Sequence, residues 1–472
     1  MNSITAQLAS FALGLDWREL PPSIVRETKL ILMDSIGCAL GAATTDKGKM
    51  NVALARKLGG PPEASIIGVG GRVACTNAAL ANGELILTLD FSNIMGGGHD
   101  GAYVIPAVLA TAENVGASGR ELILSTAVGL EVAARLARAL GQHNITPEAV
   151  QRARAEGTGV SGNAYANFGA AAGSGRLLRL DEGKLTHALG IAGHLCMVLS
   201  YRRWSHSDRG HMTKYGVPGW QNTGAVIATM LAEMGYLGDT TVLDDREKGF
   251  AYFAGYPSWH PEEILLDLGK EWCFNVRLHY KPYPCCGVFH GPLDCFYHII
   301  ETHKLGPNDI DSVVAYFRGH MESPLFSKKD VESISDAQFN PGHVFGAAAY
   351  RIPRGVEWYD QDTMNHPGIR SFGEKIICRN HPDYGKTLQR DPLSALSKVE
   401  VVAKGTTYVQ EIMYRRGSAG TEAALSESEL VNKFRHNAAR VLTKGKTERA
   451  IDALLNLDQV DHVANLMREV TL

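Results

Sequence analysis

A chain of 472 residues is too long for a single hydrophobic core, so two domains are expected. Its 47 basic and 50 acidic residues leave a formal charge of −3, too little field to hold nucleic acid or an anionic membrane surface. With 45% hydrophobic and 21% charged residues the chain is not dominated by disorder, and no apolar run approaches the roughly 18 residues of a membrane span.

The N-terminal stretch MNSITAQLASFALGLDWRELPP has no basic leader and carries Asp16 and Glu19 after its apolar run. It reads as an amphipathic first helix, not a signal peptide. Residues 22–43 repeat apolar positions near every 3.6 residues, which predicts a helix with a buried face. Gly37, Ala39 and Gly41 point either to a close helix contact or to a helix boundary. Residues 64–83 read as a short strand, a glycine turn, a second strand and a helix from near Thr76. Helices follow over 101–115, 119–140, 166–179, 181–200 and 217–236.

The character changes near residue 272. WCFNVRLHY (272–280), SVVAYFR (312–318) and KVEVVAK (398–404) read as strands, mixed with helices over 291–302 and 343–350. Pro- and Gly-rich connectors occupy 352–368. Beyond 425 the pattern is helical again, opened by the capping box Ser426–Glu429. The fold class is therefore mainly α with an α/β second domain. A discontinuous helical domain, 1–272 with 400–472, is interrupted by a smaller α+β lid domain at 273–399. Eight scattered cysteines fit reduced thiols and a cytoplasmic or matrix-like compartment better than a disulfide framework.

Several motifs fail. GVGGRV at 68–73 does not complete a dinucleotide fingerprint and reads as a turn. There is no phosphate-binding P-loop sequence, no H-E-x-x-H and no paired C-x-x-C. Cys285, Cys286, His290 and Cys295 match no common zinc spacing, so no metal is expected. Gly159-Val160-Ser161-Gly162-Asn163 fails the serine nucleophile elbow.

Three segments combine ionisable residues with glycine- or proline-punctuated backbone. In 88–113, Asp90 ends a helix and Gly96–Gly98 precede His99. The glycines either let backbone approach an anionic ligand or form a plain loop with His99 capping the next helix. In 207–236, Lys214 stands before a glycine, a proline and an apolar helix, alongside Arg202, Arg203, Arg209 and His211. It is either a carboxylate-neutralising cation at a helix start or a solvated lysine. In 277–300, Lys281 ends a predicted strand, is followed by Pro282 and Pro284, and is a candidate carboxylate ligand or acid/base group. His290 reads as a helix-start residue.

The ordered set LDF…HDGAYVIPA at 89–107, MTK at 212–214 and YKPYPCC at 280–286 resembles the MmgE/PrpD family. ILMDSIGCALGA at 31–42, FGAAAGSGRLLRLDEGKLTHALGIAG at 168–193 and GDTTVLDDREKGFAYFAG at 238–255 extend the likeness over nearly the whole chain. That family includes 2-methylcitrate dehydratase, cis-aconitate decarboxylase and iminodisuccinate epimerase. The resemblance implies a homodimer of a discontinuous helical domain and a lid, with a di- or tricarboxylate site between them and no metal or organic cofactor. It places Asp90, His99, Lys214 and Lys281 at active-site positions, with Gly98, Asn163, Tyr215 and His343 as substrate-binding candidates.

Departures from the family pattern are specific. Ser92-Asn93-Ile94 stands where relatives usually read D-D-T. Val160, with Ser161 and Asn163 nearby, replaces a histidine. Tyr215 replaces a common basic residue, and His343 lies closest to a lid tyrosine of some relatives. The expectation is a lyase, dehydratase or decarboxylase, moving a proton α to a carboxylate. An epimerase or isomerase is the alternative, and a silent carboxylate-binding protein the third reading.

Overall fold

In a computed structural model, the structure describes residues 3–96, 98–141, 163–197, 207, 209–256, 258–318, 324–328 and 330–472. The longer elements of the first half are α1 (Ile4–Gly14), α2 (Pro22–Ala42), α3 (Asp46–Leu58), β1 (Ala64–Ser65), β2 (Arg72–Val73), α4 (Cys75–Thr88), α5 (Asp100–Asn114), α6 (Gly119–Ala139), α7 (Ala166–Leu177), α8 (Glu182–Leu195) and α9 (Pro218–Glu233). Those of the second half are α10 (His290–Thr302), β3 (Ile310–Phe317), α11 (Pro341–Ala349), β4 (Ile376–Asn380), β5 (Ser397–Ala403), β6 (Thr406–Ile412), α12 (Glu427–Ala438), α13 (Lys444–Leu455) and α14 (Val463–Glu469). Among the described residues no helix is long and apolar enough to cross a membrane.

Every residue of α5 but Asn114 is buried, so this helix is the axis of the helical domain, apolar nearly all round because helices surround it. α6 and α7 meet backbone to backbone. A Cβ on Gly169 would lie 2.2 Å from the carbonyl oxygen of Gly129, and one on Gly129 would lie 2.8 Å from that of Gly169. Gly169→Ala is therefore expected to destabilise the protein by about 1–3 kcal/mol, seen as a lower urea midpoint. An unchanged midpoint would mean that the two helices separate freely.

The contact foreseen at Gly37 and Gly41 is made with α12. Added Cβ atoms there would lie 3.3 Å from Phe434 Cα and 3.4 Å from Asn437 Cβ. This brings the C-terminal segment back onto α2. The capping box at the start of α12 is formed as expected, with Ser426 N donating to Glu429 Oε2 at 2.7 Å and Glu429 N to Ser426 Oγ at 3.3 Å.

The second sheet has the order β4-β3-β5-β6, with β3 and β4 parallel and the other neighbours antiparallel. β5 buries Ser397, Val399, Val401 and Ala403 on one face, the period of two read from the sequence. Lys404 and Gly405, both at positive φ, close the hairpin to β6. A lid border at 399/400 would cut β5. The sheet runs to Ile412, and the chain returns to the helices with α12.

Two elements differ from expectation. WCFNVRLHY is not a strand: only His279 forms bridges, to Ile94 and Ser418. The amides of Cys273 and Phe274 instead donate to the Glu131 carboxylate, at 2.7 and 3.2 Å. Alternation alone cannot make a strand when another element takes its hydrogen bonds. The helix expected over 181–200 stops at Leu195, because Cys196 adopts extended backbone. Within the connector 352–368, Val356–Tyr359 and Gln361–Met364 form short helical turns.

Candidate active site

Asp90 follows α4 in the left-handed region, φ +50°, a conformation that an aspartate tolerates better than most residues. The turn buries its carboxylate completely. Two devices bring the lid side to it. Ile94 and His279 exchange backbone hydrogen bonds of 2.9 and 2.8 Å. Gln338 donates to Thr88 O at 2.8 Å and accepts from Cys286 N at 3.0 Å.

Around Asp90 the expected residues converge. Lys281 Nζ donates to its Oδ1 at 2.5 Å, and Lys214 Nζ lies 3.5 Å from Oδ2. Tyr215 OH donates to Oδ2 at 3.2 Å, and its ring stacks on His99 with centroids 5.1 Å apart. His99 Nε2 faces Oδ1 at 3.4 Å, while Nδ1 lies 3.3 Å from Ser92 Oγ. His99 does occupy the N-cap position of α5, but its side chain makes no capping bond.

Lys214 is no solvated lysine: it is 2% exposed. Its ammonium has no hydrogen-bond partner among the described residues and lies 5.2 and 5.3 Å from the ring centroids of Tyr215 and Phe339. Lys47 and Glu84 hold its loop. Lys47 Nζ lies 2.9 Å from Glu84 Oε2 and donates to Met212 O at 2.7 Å, and Gly219 N at the start of α9 donates to Glu84 Oε1 at 3.0 Å.

Burial alone would raise the Asp90 carboxyl, but Lys214, Lys281 and His99 together hold it well below the usual range. Burial, reinforced by Lys281 and Lys47 and opposed by Asp90, pushes Lys214 down to about 7. Burial and Lys281 lower His99 to about 3 against the pull of Asp90. At neutral pH the site therefore holds an ionised aspartate, a neutral histidine and a lysine divided between its two forms. The His99 ring is thus held from Asp90 on one nitrogen and Ser92 on the other, with the Asn93 backbone also bonding it.

Gly98 and Asn163 stand one layer behind. A Cβ on Gly98 would lie 2.4 Å from Asn163 Nδ2 and 2.8 Å from Tyr165 OH, so any side chain there would have to displace those two polar groups. The Asn163 amide donates to Asp100 Oδ1 at 3.0 Å, as Tyr165 OH does at 2.8 Å. Burial pushes the Asp100 carboxyl up to about 7 against those two hydrogen bonds. His343 has its described partners within the lid: its Nε2 lies 2.8 Å from Trp358 O, and its ring stacks on Tyr359.

His290 opens α10 as expected and pairs with His279 at 3.3 Å. Cys286 lies 3.8 Å from Tyr215 OH, and Cys295 donates to Ser397 O. Among the described residues no three His, Cys, Asp or Glu side chains converge as an ion-binding group. Arg209 pairs with Glu332 on the surface. Val160, Ser161, Arg202 and Arg203 lie outside the described residues. The sequence reading did not single out Lys47 or Glu84, whose partners are brought to them by tertiary contacts.

Known proteins are similar to this chain along nearly its whole length. The chain is similar to cis-aconitate decarboxylase of Aspergillus terreus (strain NIH 2624 / FGSC A1156), at 22% identity over 99% of this chain and 95% of that protein. It is 23% identical to cis-aconitate decarboxylase of Mus musculus, over 99% of this chain and 93% of that protein. The Homo sapiens protein of the same name is also 23% identical, over 98% and 93%. The MmgE/PrpD N-terminal domain matches residues 6–262 and the MmgE/PrpD C-terminal domain residues 283–459. With both halves matched in order along one chain, this protein belongs to the MmgE/PrpD family.

Proposed function

We propose that the protein is a cofactor-independent lyase for a small di- or tricarboxylate, with decarboxylation of an aconitate-type acid as its reaction. The observation that carries the reading is Lys214: a buried amine 3.5 Å from the Asp90 carboxylate with no hydrogen bond to a described group, and its burial pushes its pKa down to about 7. When the saturated arm of such an acid loses CO2, its bonding electron pair spreads through the C=C bond onto a remaining carboxylate. Lys281 and Lys214 would stabilise that charge, and one proton from Lys214 to the far alkene carbon completes the shift. Solvent then returns the proton to the amine. Asp90 keeps both lysines in place, and neutral His99 is oriented by Ser92.

Dehydration of a citrate-type acid is the second reading. It requires a further donor for the departing hydroxyl, and Ile94 offers only backbone, bridged to His279. The similar proteins give the epimerase alternative no support. The test is incubation with cis-aconitate in deuterated water, followed by proton NMR. Decarboxylation gives new vinylidene protons, CO2 and one carbon-bound deuterium. A new alkene from a citrate-type acid without CO2 would mean dehydration. Deuterium exchange alone would mean epimerisation, and calorimetric binding without turnover a silent protein.

The proton-donor role fixes a sign for pH. Lys214 donates only while charged, so kcat/KM falls as pH rises through about 7. A bound polyanion favours the charged lysine, so the limb in kcat lies higher than that in kcat/KM. A kcat/KM that rises over this range would make Lys214 a base instead.

We also propose a homodimer in the cytoplasm. All eight cysteines are free thiols, which supports a reducing compartment. Helix α3 exposes Met50, Leu54 and Leu58, and α9 exposes Trp220, Ile227 and Met230, at spacings that stack them on one side of each helix. Light scattering is expected to give twice the mass of one chain, and Trp220→Glu with Met230→Glu to give one. A wild-type monomer would remove the proposal.

A further inference from the structure

Lys433 lies on α12, far along the chain from every residue of the proposed site, yet its ammonium spends all three N–H groups there. It donates to Asp34 Oδ1 at 2.7 Å, to Phe91 O at 2.7 Å and to Lys281 O at 2.9 Å. Phe91 is the residue after Asp90, and the Phe91 ring centroid lies 3.9 Å from the same ammonium. Asp34, on α2 and fully buried in its side chain, uses its other oxygen to accept from Asn93 N at 2.8 Å and Asn93 Nδ2 at 3.0 Å. One buried ion pair thus holds α2, the turn that carries Asp90, and the segment that carries Lys281.

We infer that Lys433, seated on Asp34, is a positioning residue that sets the backbone from which the Asp90 and Lys281 side chains leave. The inference rests on the site proposed above. Asp90 sits at φ +50°, a conformation that carries some cost even for an aspartate, and Lys433 fixes the carbonyl one residue on. Lys281 reaches Asp90 only if its own backbone is held, and Lys433 bonds that carbonyl directly. A displacement of about 1 Å at this point is enough to lower turnover roughly a hundredfold.

Lys433→Met should therefore lower kcat by between about tenfold and a hundredfold while changing KM much less. It should also move the pH limb assigned to Lys214. The groups facing Lys214 are Asp90, Lys281, Lys47 and Cys286, with the Tyr215 ring beside it. If Lys281 swings off Asp90, Lys214 loses a repelling cation and keeps its attracting carboxylate. The limb then moves to higher pH.

A pair that served only to hold the fold together would behave differently. In Lys433→Met with Asp34→Asn neither buried charge remains uncompensated, so thermal stability should recover towards wild type. Positioning requires kcat to stay low and the limb to stay displaced in that double variant. Recovery of both, or a folded Lys433→Met enzyme with normal kcat and an unmoved limb, would overturn the inference. The side-chain 15N resonance of Lys281, identified by its absence in Lys281→Arg, gives a readout independent of turnover. It should shift in Lys433→Met, and an unshifted resonance counts against positioning. If wild type has no limb near pH 7, or Lys214→Ala retains it, the site reading fails, and the Lys281 resonance alone decides the role of Lys433.

Discussion

Lys214→Ala is expected to lower kcat by roughly a hundredfold or more while leaving the fold intact. Lys281 cannot replace it as proton donor, because Lys281 is committed to Asp90 at 2.5 Å and is fully buried. The fold survives because Asp90 keeps Lys281, Tyr215 and His99 as partners after Lys214 is gone. Asp90 loses one of its two lysines and truncation leaves a cavity, so the melting temperature should fall modestly while the enzyme stays folded. Lys214→Arg separates two roles. A guanidinium still attracts a carboxylate, so KM should improve on the alanine variant, but it does not give up its proton, so kcat should stay low. His99→Ala should lose a similar factor in turnover yet keep the pH limb, because the titrating amine is still present. Near-normal kcat in both Lys214→Ala and His99→Ala would remove the site assignment altogether.

The sequence made some of this visible and hid the rest for definable reasons. The helices α2 and α4 to α9 were legible from their apolar, helix-period pattern, α3 was not singled out, and the α12 cap was legible because its chemistry is local. Spacing alone could not choose between a buried and a solvated Lys214, since what buries it is Tyr215 at φ +59° and Phe339, 125 residues away. Only the family resemblance put Asp90, His99, Lys214 and Lys281 in one place. Gly98 and Asn163, far apart in sequence, pack against each other next to His99. That is a contact between segments which no local pattern encodes. Lys433 escaped for the same reason: a lysine on an amphipathic helix looks like surface until α2 and the Asp90 turn are folded against it. The failed strand at 272–280 belongs here too, because its alternation was real but the amides of Cys273 and Phe274 are taken by Glu131 of α6 and those of His279 and Tyr280 by Ile94 and Gly417.

Arg135→Ala should destabilise the protein by about 3–5 kcal/mol. The side chain is wholly buried on α6, and all of its N–H nitrogens are used. Nε donates to Glu131 Oε1 at 2.6 Å, Nη1 to Ile264 O and Leu266 O, and Nη2 to Asp267 O and Glu271 O. Glu131 in turn accepts from Cys273 N and Phe274 N. This pair replaces the strand partners that 272–280 lacks. Truncation would leave a buried carboxylate without its counter-charge and four carbonyls without donors. Lysine would not restore it, because three N–H groups on one nitrogen cannot span five acceptors laid out for a planar fork. Glu131→Gln with Arg135→Met removes both charges and should recover part of the loss, while the amides of Cys273 and Phe274 still find an acceptor. The same turn leads into the residues that bridge to Ile94 and carry Lys281. Activity should therefore disappear at the denaturant concentration where this segment loosens, below the point where the helices melt. Urea titration followed in parallel by turnover and by circular dichroism tests this: two coincident curves would mean that the segment unfolds only with the helical domain.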